Sequence, residues 1–169
     1  MIRLIENANE AFKATQNLVP VQLKIQYINQ LMETGYFAVN AGRYDWNAVS
    51  QFSDLQEILV EVEKKNTKII VSTENREEFY QAAKNNQIDY IEVPFSIVKE
   101  SEHTVSNEKM LCRFSLDFSK KEEINNFLES SLLEYCSKHA IDKVIFTNSN
   151  LNPDLSLLTM LVEKCRDKY

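Results

Sequence analysis

The stretch VPVQLKIQYINQLMETGYFAVNAG, residues 19–42, decides the fold class. Four apolar residues in it recur at intervals of three and four: Val21, Ile25, Ile28 and Met32. This spacing predicts an amphipathic helix over 20–34. Gly35 follows directly, at the place where a glycine with positive φ ends many helices. The apolar run at 36–41 then predicts a buried strand, so the stretch is one helix that leads into one strand.

The same alternation continues along the whole chain. Short apolar runs typical of strands lie at 2–6, 36–41, 67–72, 88–94, 110–118 and 142–147. Segments with helical spacing lie at 20–34, 47–65, 74–86, 120–139 and 153–168. Continuous apolar strands joined by helices are typical of parallel strands with crossover helices. The sequence therefore predicts an α/β fold.

One connection departs from this pattern. The segment between Pro94 and Met110 is polar and has no apolar stripe. It is short for a crossover helix with two loops, so one crossover helix is expected to be missing or reduced to a turn. The direction of the strand at 110–118 therefore stays open. No linker divides the chain, which predicts a single domain over 1–169.

The composition excludes several kinds of partner. The 169 residues are 44% hydrophobic and carry a net charge of −6, which suits one hydrophobic core. Lysines and arginines form no cluster, which argues against a nucleic-acid partner. No apolar run approaches the ~20 residues of a membrane span. The three cysteines are odd in number and form no C-x-x-C pair, so a reducing, cytoplasmic location is expected.

Candidate functional residues lie where the predicted strands end. In parallel α/β folds, ligands bind at the carboxyl ends of the strands. The polar residues at these ends are Glu6, Asn7, Asn9, Glu10, Asn40, Arg43, Ser72, Thr73, Asn75, Glu92, Ser96, Asp117, Ser119, Asn148, Ser149 and Asn150. The same residue types are also common as helix caps, so each has a structural interpretation as well. Arg43, Arg76 and Arg113 are the cations that could hold an anionic ligand, although arginines at such loops are usually surface residues.

Three stretches resemble the amino-terminal part of the 3-hydroxy-3-methylglutaryl-CoA (HMG-CoA) lyases, which are metal-dependent TIM barrels of aldolase type. They are residues 19–42, VSTENREEFYQAA at 71–83 with Thr73 and Asn75 kept, and DKVIFTNSNLNPDLSLLTMLVEKC at 142–165. The resemblance covers nearly the whole chain and about six of the eight strand–helix units of such a barrel. It implies a truncated, incomplete TIM-like barrel of about six mostly parallel strands, with helices outside.

The family's catalytic motif is altered in this sequence. The first strand of the lyases ends in Asp-x-x-x-Arg-Asp-Gly, and the resemblance places Asn9 at the arginine, Glu10 at the metal-binding aspartate and Ala11 at the glycine. An asparagine lacks the full positive charge with which the arginine polarises the acyl carbonyl. Asn40 stands where the family has an acidic residue in the second strand.

The resemblance also leads us to expect no tightly bound catalytic metal. The His-x-His pair of the family's metal site would lie beyond Tyr169. His103 and His139 are expected to be surface or capping residues, because a transition metal needs several converging ligands. A divalent cation at Glu10 is the weaker alternative.

These observations predict a catalytically degenerate lyase-like domain that binds a small acyl or carboxylate ligand or serves as an assembly partner. The expected ligand-binding residues are Asn9, Glu10, Asn40, Thr73, Asn75 and Asn148, and no catalytic residue is assigned. The alternative is an active carbon–carbon lyase whose metal site is rebuilt or shared with a partner. A small α/β domain with an unrelated ligand stays open as well. Open sheet edges in an incomplete barrel predict a homodimer or a hetero-complex.

Overall fold

A computed structural model describes residues 5–15, 17–44, 52–99, 108–129, 134–135, 138, 143–148 and 154–166. The chain divides into two compact units, the first over Met1–Val93 with Asn107–Lys109 and the second over the remainder. The single domain over 1–169 stays a prediction. No helix of the described ranges is both long and apolar enough to cross a membrane.

The first unit alternates strands and helices. Its elements are β1 (Ile5–Asn7), α1 (Ala8–Lys13), α2 (Val21–Glu33), β2 (Ala38–Arg43), α3 (Leu55–Glu61), β3 (Lys68–Ser72), α4 (Arg76–Ala83) and β4 (Tyr90–Pro94). Each strand pairs in parallel with the next strand along the chain, from β1 to β4. The predicted α/β class and the parallel pairing are confirmed in this unit.

The core of the first unit follows the predicted apolar pattern. Ile25, Ile28 and Met32 of α2 are buried, as are Ile70 of β3 and Ile91 of β4. The backbone at Gly35 has φ +85°, the left-handed conformation expected from its place after α2. Glycine adopts this conformation without the steric cost that a Cβ brings, which is why the helix ends there.

A buried ion pair joins α2 to the segment before α3, and the sequence pattern did not predict it. Lys24 is 1% exposed, although it is a lysine on a helix of a small domain. Its Nζ lies 2.7 Å from Asp54 Oδ2 and 2.8 Å from Asp54 Oδ1. A buried ammonium needs a partner because its desolvation is costly. Asp54 supplies that partner from 30 residues away, beyond the reach of periodicity analysis.

Several predicted boundaries differ from the observed ones. The helix predicted at 47–65 is observed as Leu55–Glu61, and residues 47–51 lie outside the described ranges. It ends early because Val62 leaves the helical backbone, with ψ 126°, and buries its side chain. The six-residue α1 was not predicted, because it is too short to show a helical period. Its two buried apolar residues, Ala8 and Phe12, are four residues apart, which is the helical spacing that this short segment shows.

The second unit contains α5 (Phe95–Lys99), β5 (Met110–Leu116), α6 (Lys121–Glu129), β6 (Val144–Asn148) and α7 (Leu155–Arg166). β5 and β6 are parallel, from Cys112 opposite Val144 to Leu116 opposite Asn148. This settles the direction of β5 relative to β6. The five-residue α5 stands in the connection where a crossover helix was expected to be missing or reduced to a turn; residues 100–107 lie outside the described ranges.

An aromatic cluster forms much of the core of the second unit. The ring of Phe114 on β5 lies 4.8 Å from that of Phe95, 5.1 Å from that of Phe127 and 6.0 Å from that of Phe146, between ring centres. Such ring pairs stabilise a core beyond the area that they bury. The side chains of Met110, Cys112 and Leu116 on β5 are buried as well.

Candidate functional site

The amide of Asn40 links three parallel strands of the first unit. Asn40 is buried on β2, and its Nδ2 donates to Ser72 Oγ of β3 at 2.7 Å and to Glu92 Oε2 of β4 at 3.0 Å. Its Oδ1 accepts from the backbone N–H of Gly42 at 3.1 Å. An N–H can only donate, so the atom facing Gly42 must be the amide oxygen. The backbone therefore fixes the NH2 group of Asn40 toward Ser72 and Glu92.

Strand register places a fourth polar residue in line with these three. Asn7 of β1 is the partner of Asn40, and Ser72 is the partner of Glu92. Partner residues on neighbouring parallel strands point to the same face of a sheet. Asn40 lies opposite Ile70, two residues before Ser72 on the same face of β3, and its hydrogen bond to Ser72 connects the two pairs. Asn7, Asn40, Ser72 and Glu92 thus form one polar row across β1 to β4, toward the carboxyl ends of the strands.

A β-bulge in β2 brings Arg43 to the same face. The pairing between β2 and β3 shifts between Asn40 and Gly42, after which Arg43 lies opposite Ser72. Gly42 has φ +156°, and a Cβ at this position would lie 3.2 Å from a ring carbon of Phe52. The bulge therefore depends on glycine for both its backbone conformation and its space.

Asn9 and Glu10, the pair matched to the catalytic motif of the lyases, lie on different faces of α1. Asn9 is 2% exposed, and its Oδ1 has no hydrogen-bond partner among the described residues. The side chain of Glu10 is 62% exposed, and its Oε1 lies 2.8 Å from the Nζ of Lys13. Consecutive residues of a helix point about 100° apart, which allows Asn9 to be buried while Glu10 faces solvent. Glu10 does not join the polar row.

Thr73 and Asn75 make local structural contacts. The N–H and the Oγ1 of Thr73 both bond the backbone oxygen of Glu92, at 2.9 and 3.2 Å, and fasten β3 to β4. Asn75 caps α4: its Oδ1 accepts from the Glu78 N–H at 2.9 Å, and its Nδ2 donates to Glu78 Oε1 at 2.7 Å. Asn148 ends β6 in the second unit. These contacts support a structural role for Thr73 and Asn75.

Glu78 was not predicted, yet it orients Arg43. It is a buried carboxylate whose Oε2 accepts from the Glu74 N–H at 2.7 Å. Its Oε1 lies 3.5 Å from the Nη2 of Arg43. The Asn-x-x-Glu spacing of a capping box, from Asn75 to Glu78, was the available signal.

In the second unit, Asp117 follows directly after β5, and its neighbours shift its pKa. Ser119 donates to Asp117 Oδ1 from its Oγ at 2.6 Å and from its N–H at 2.9 Å, and Lys120 lies 3.1 Å from Oδ2. These bonds favour the ionised form and lower the pKa of Asp117 to about 2. Such a pattern is that of a structural turn into α6.

No family model matches the sequence, and no curated protein does. Solved structures do match. An HMG-CoA lyase from Bacillus subtilis is 13% identical, with a TM-score of 0.72, over 99% of this chain and 65% of that one. An HMG-CoA lyase from Acinetobacter baumannii, in complex with coenzyme A and 3-methylmalate, is 14% identical with a TM-score of 0.70, over 95% and 61%. An HMG-CoA lyase from Brucella melitensis is 14% identical with a TM-score of 0.65, over 99% of this chain and 68% of that one.

The fold is therefore that of part of an HMG-CoA lyase. The chain spans about two thirds of the length of these proteins. At 13–14% identity the likeness establishes the fold and not the activity. It confirms the predicted incomplete TIM-like barrel and the resemblance on which that prediction depended.

The described residues do not offer a set of ligands for the divalent metal that the resemblance implies. Among the described residues, no three His, Cys, Asp or Glu side chains come together as ligands. The NH2 group of Asn40 lies between Ser72 and Glu92, and a donor group in that position repels a cation. Glu10, the alternative ligand, points outward to Lys13.

Replacing Asn40 tests the polar row. We expect Asn40→Leu to lower the free energy of unfolding by about 2–4 kcal/mol, because it removes a donor to the buried Glu92 and leaves the Gly42 N–H without its acceptor. Urea denaturation measures this change. The matched control is Thr73→Val, which leaves the Glu92 oxygen its bond from the Thr73 N–H and should cost about 1 kcal/mol. Equal losses of unfolding free energy in Asn40→Leu and Thr73→Val would contradict the role of the polar row in linking the strands.

Replacing Ser119 tests the cause of the Asp117 perturbation. In Ser119→Ala the hydroxyl donor is lost, so the pKa of Asp117 should rise from about 2 toward its ordinary value of 3.8, as followed by carboxyl NMR titration. A carboxyl group whose pKa is lower in the folded chain than in the unfolded chain stabilises the fold at pH values above its unfolded pKa. This stabilisation is lost as the pH falls toward 2. The variant should therefore lose less stability than the parent chain between pH 4 and pH 2.

The chain provides a matched control in Ser156→Ala, since Ser156 bonds Asp154 in the same way and lowers its pKa. That variant should raise the pKa of Asp154 alone. A rise in the pKa of Asp117 in Ser156→Ala would show that the lowered pKa of Asp117 does not come from its local hydrogen bonds.

Proposed function

We propose that this chain is a non-catalytic lyase-fold domain that binds a small carboxylate or acyl compound at the carboxyl ends of β1 to β4. The observation that carries the proposal is the buried, unpartnered Nε of Arg43, a cationic donor opposite Ser72 of the polar row that the Asn40 amide holds together. A buried polar atom without a partner is rare in folded proteins. At a strand end of this fold, the missing partner is best supplied by a ligand.

Charge argues against carbon–carbon cleavage at this site. The resemblance assigns polarisation of the acyl carbonyl to an arginine where this chain has Asn9. A neutral amide stabilises a developing negative charge far less than a guanidinium does. The buried carboxylates Glu92 and Glu78 are engaged in contacts with Asn40, Asn75 and Arg43. Among the described residues, the carboxylates and amides do not form a set of ligands for a divalent metal.

Arg43 is the group best placed to hold a carboxylate. Its side chain is 35% exposed, and Glu78 holds one nitrogen of the guanidinium, Nη2. Its Nε is buried and has no partner among the described residues. A guanidinium N–H fixed in this way is a preorganised donor for a ligand oxygen.

We also propose that a second chain, a copy of this one or a different protein, covers the sheet edges, and that the protein works in the cytoplasm. Within the described part of the chain, β1 pairs only with β2, and β6 pairs only with β5. Exposed strand edges are normally covered or paired. Light scattering at micromolar concentration should give a mass above the 19.7 kDa of one chain. A monomeric mass would contradict this part of the proposal.

Activity and binding assays test the main proposal together. The purified chain is incubated with HMG-CoA and Mg²⁺ or Mn²⁺, and product is measured against a blank and against the Bacillus subtilis lyase as a positive control. We expect no cleavage above the blank. Small carboxylic acids should raise the melting temperature in proportion to their concentration. Metal-dependent cleavage would instead support the alternative, an active lyase with a rebuilt or shared site.

A further inference from the structure

Three buried side-chain atoms in the described part of the chain have no hydrogen-bond partner: Asn7 Oδ1, Asn9 Oδ1 and Arg43 Nε. All three belong to the ends of two adjacent strands. Asn7 is the last residue of β1, Asn9 follows two residues later in α1, and Arg43 is the last residue of β2. Asn7 is the register partner of Asn40, three residues before Arg43, and neighbouring strands lie about 5 Å apart, so a ligand that reaches all three atoms extends along β2 as well as across to it.

The unsatisfied atoms define a hydrogen-bonding requirement. The two asparagine oxygens are acceptors and need two donor hydrogens, whereas the Arg43 N–H is a cationic donor and needs an acceptor. A hydroxyl group has one hydrogen and can satisfy only one of the two oxygens. An ammonium group has three hydrogens and can satisfy both. A carboxylate is the best acceptor for a guanidinium N–H.

The surrounding charge also favours a cationic group near the asparagines. Two buried carboxylates belong to the same unit, Glu92 in the polar row and Glu78 beside Arg43. The asparagines themselves are neutral, so their oxygens present only the negative ends of amide dipoles. On the β1 side of the site, these dipole ends attract an ammonium group and repel a carboxylate.

We propose that the ligand is a small α-amino acid. Its ammonium group donates to Asn7 Oδ1 and Asn9 Oδ1, and its carboxylate accepts from Arg43 Nε. The inference rests on the proposed function, since it specifies which carboxylate compound this same site binds. A buried water, which makes about three hydrogen bonds, is the competing occupant of the same atoms.

Matched pairs of ligands test the proposal on the full chain. Each amino acid is compared with the 2-hydroxy acid that differs only by hydroxyl in place of ammonium: alanine with lactate, serine with glycerate, aspartate with malate. Melting-temperature shifts identify binders, and titration calorimetry measures their affinities. We expect at least one amino acid to bind about tenfold or more tightly than its hydroxy-acid partner, because the second asparagine bond is lost in the latter.

Variants link binding to the proposed atoms. Asn9→Leu keeps the size of the side chain and removes an unsatisfied acceptor, so it should fold at least as stably as the parent chain and bind the amino acid about tenfold or more weakly. Asn7→Ala, at a half-buried position, provides a second variant should Asn9→Leu fail to fold. The matched control is Asn86→Ala, an exposed asparagine that should leave the affinity unchanged.

The outcomes separate this inference from the function on which it rests. Equal or tighter binding of the hydroxy acids overturns the amino-acid assignment and leaves carboxylate binding intact. Amino-acid binding that survives both Asn9→Leu and Asn7→Ala also overturns it. Failure of every carboxylate to bind overturns both proposals and assigns the three atoms to water alone.

Discussion

The hydrogen bond from the Gly42 N–H to Asn40 Oδ1 sets the arrangement of the whole strand-end site. It determines which end of the Asn40 amide faces Ser72 and Glu92, and so turns a donor toward a buried carboxylate. The bond forms across the β-bulge that also moves Arg43 into line with Ser72. A single irregularity in β2 thus joins three strands and gives the site its cation.

Around this constraint, the polar side chains at the strand ends are bonded to one another. The fold places polar side chains at the carboxyl ends of parallel strands, where barrel enzymes bind their substrates. In this chain those positions hold amides and a hydroxyl, and the carboxylates are engaged by Asn40, Asn75 and Arg43. Folds host many functions, and the side chains at the site decide between binding and catalysis.

Much of the fold was predictable because it depends on short-range patterns. The apolar stripe of α2, its end at Gly35 and the following strand are all encoded within 24 consecutive residues. The site was less predictable because its contacts are distant in sequence: Asn40 bonds Glu92 across 52 residues. Asn9 and Asn40 were expected at the site from their places after strands. Their neighbour Glu10 was expected there too, but no periodic signal existed for the short α1 that turns it to the surface.

The sequence by itself determined the order of the strands and of the longer helices, because apolar spacing and the glycine that ends α2 act over a few residues. It also determined which residue types stand at the strand ends. Only the tertiary structure decided which of them meet, since strand register places Asn7, Asn40, Ser72 and Glu92 on a common face and one bulge brings Arg43 opposite Ser72. The same packing left Asn9 buried without a partner and paired Lys24 with Asp54, because burial makes polar atoms depend on distant residues.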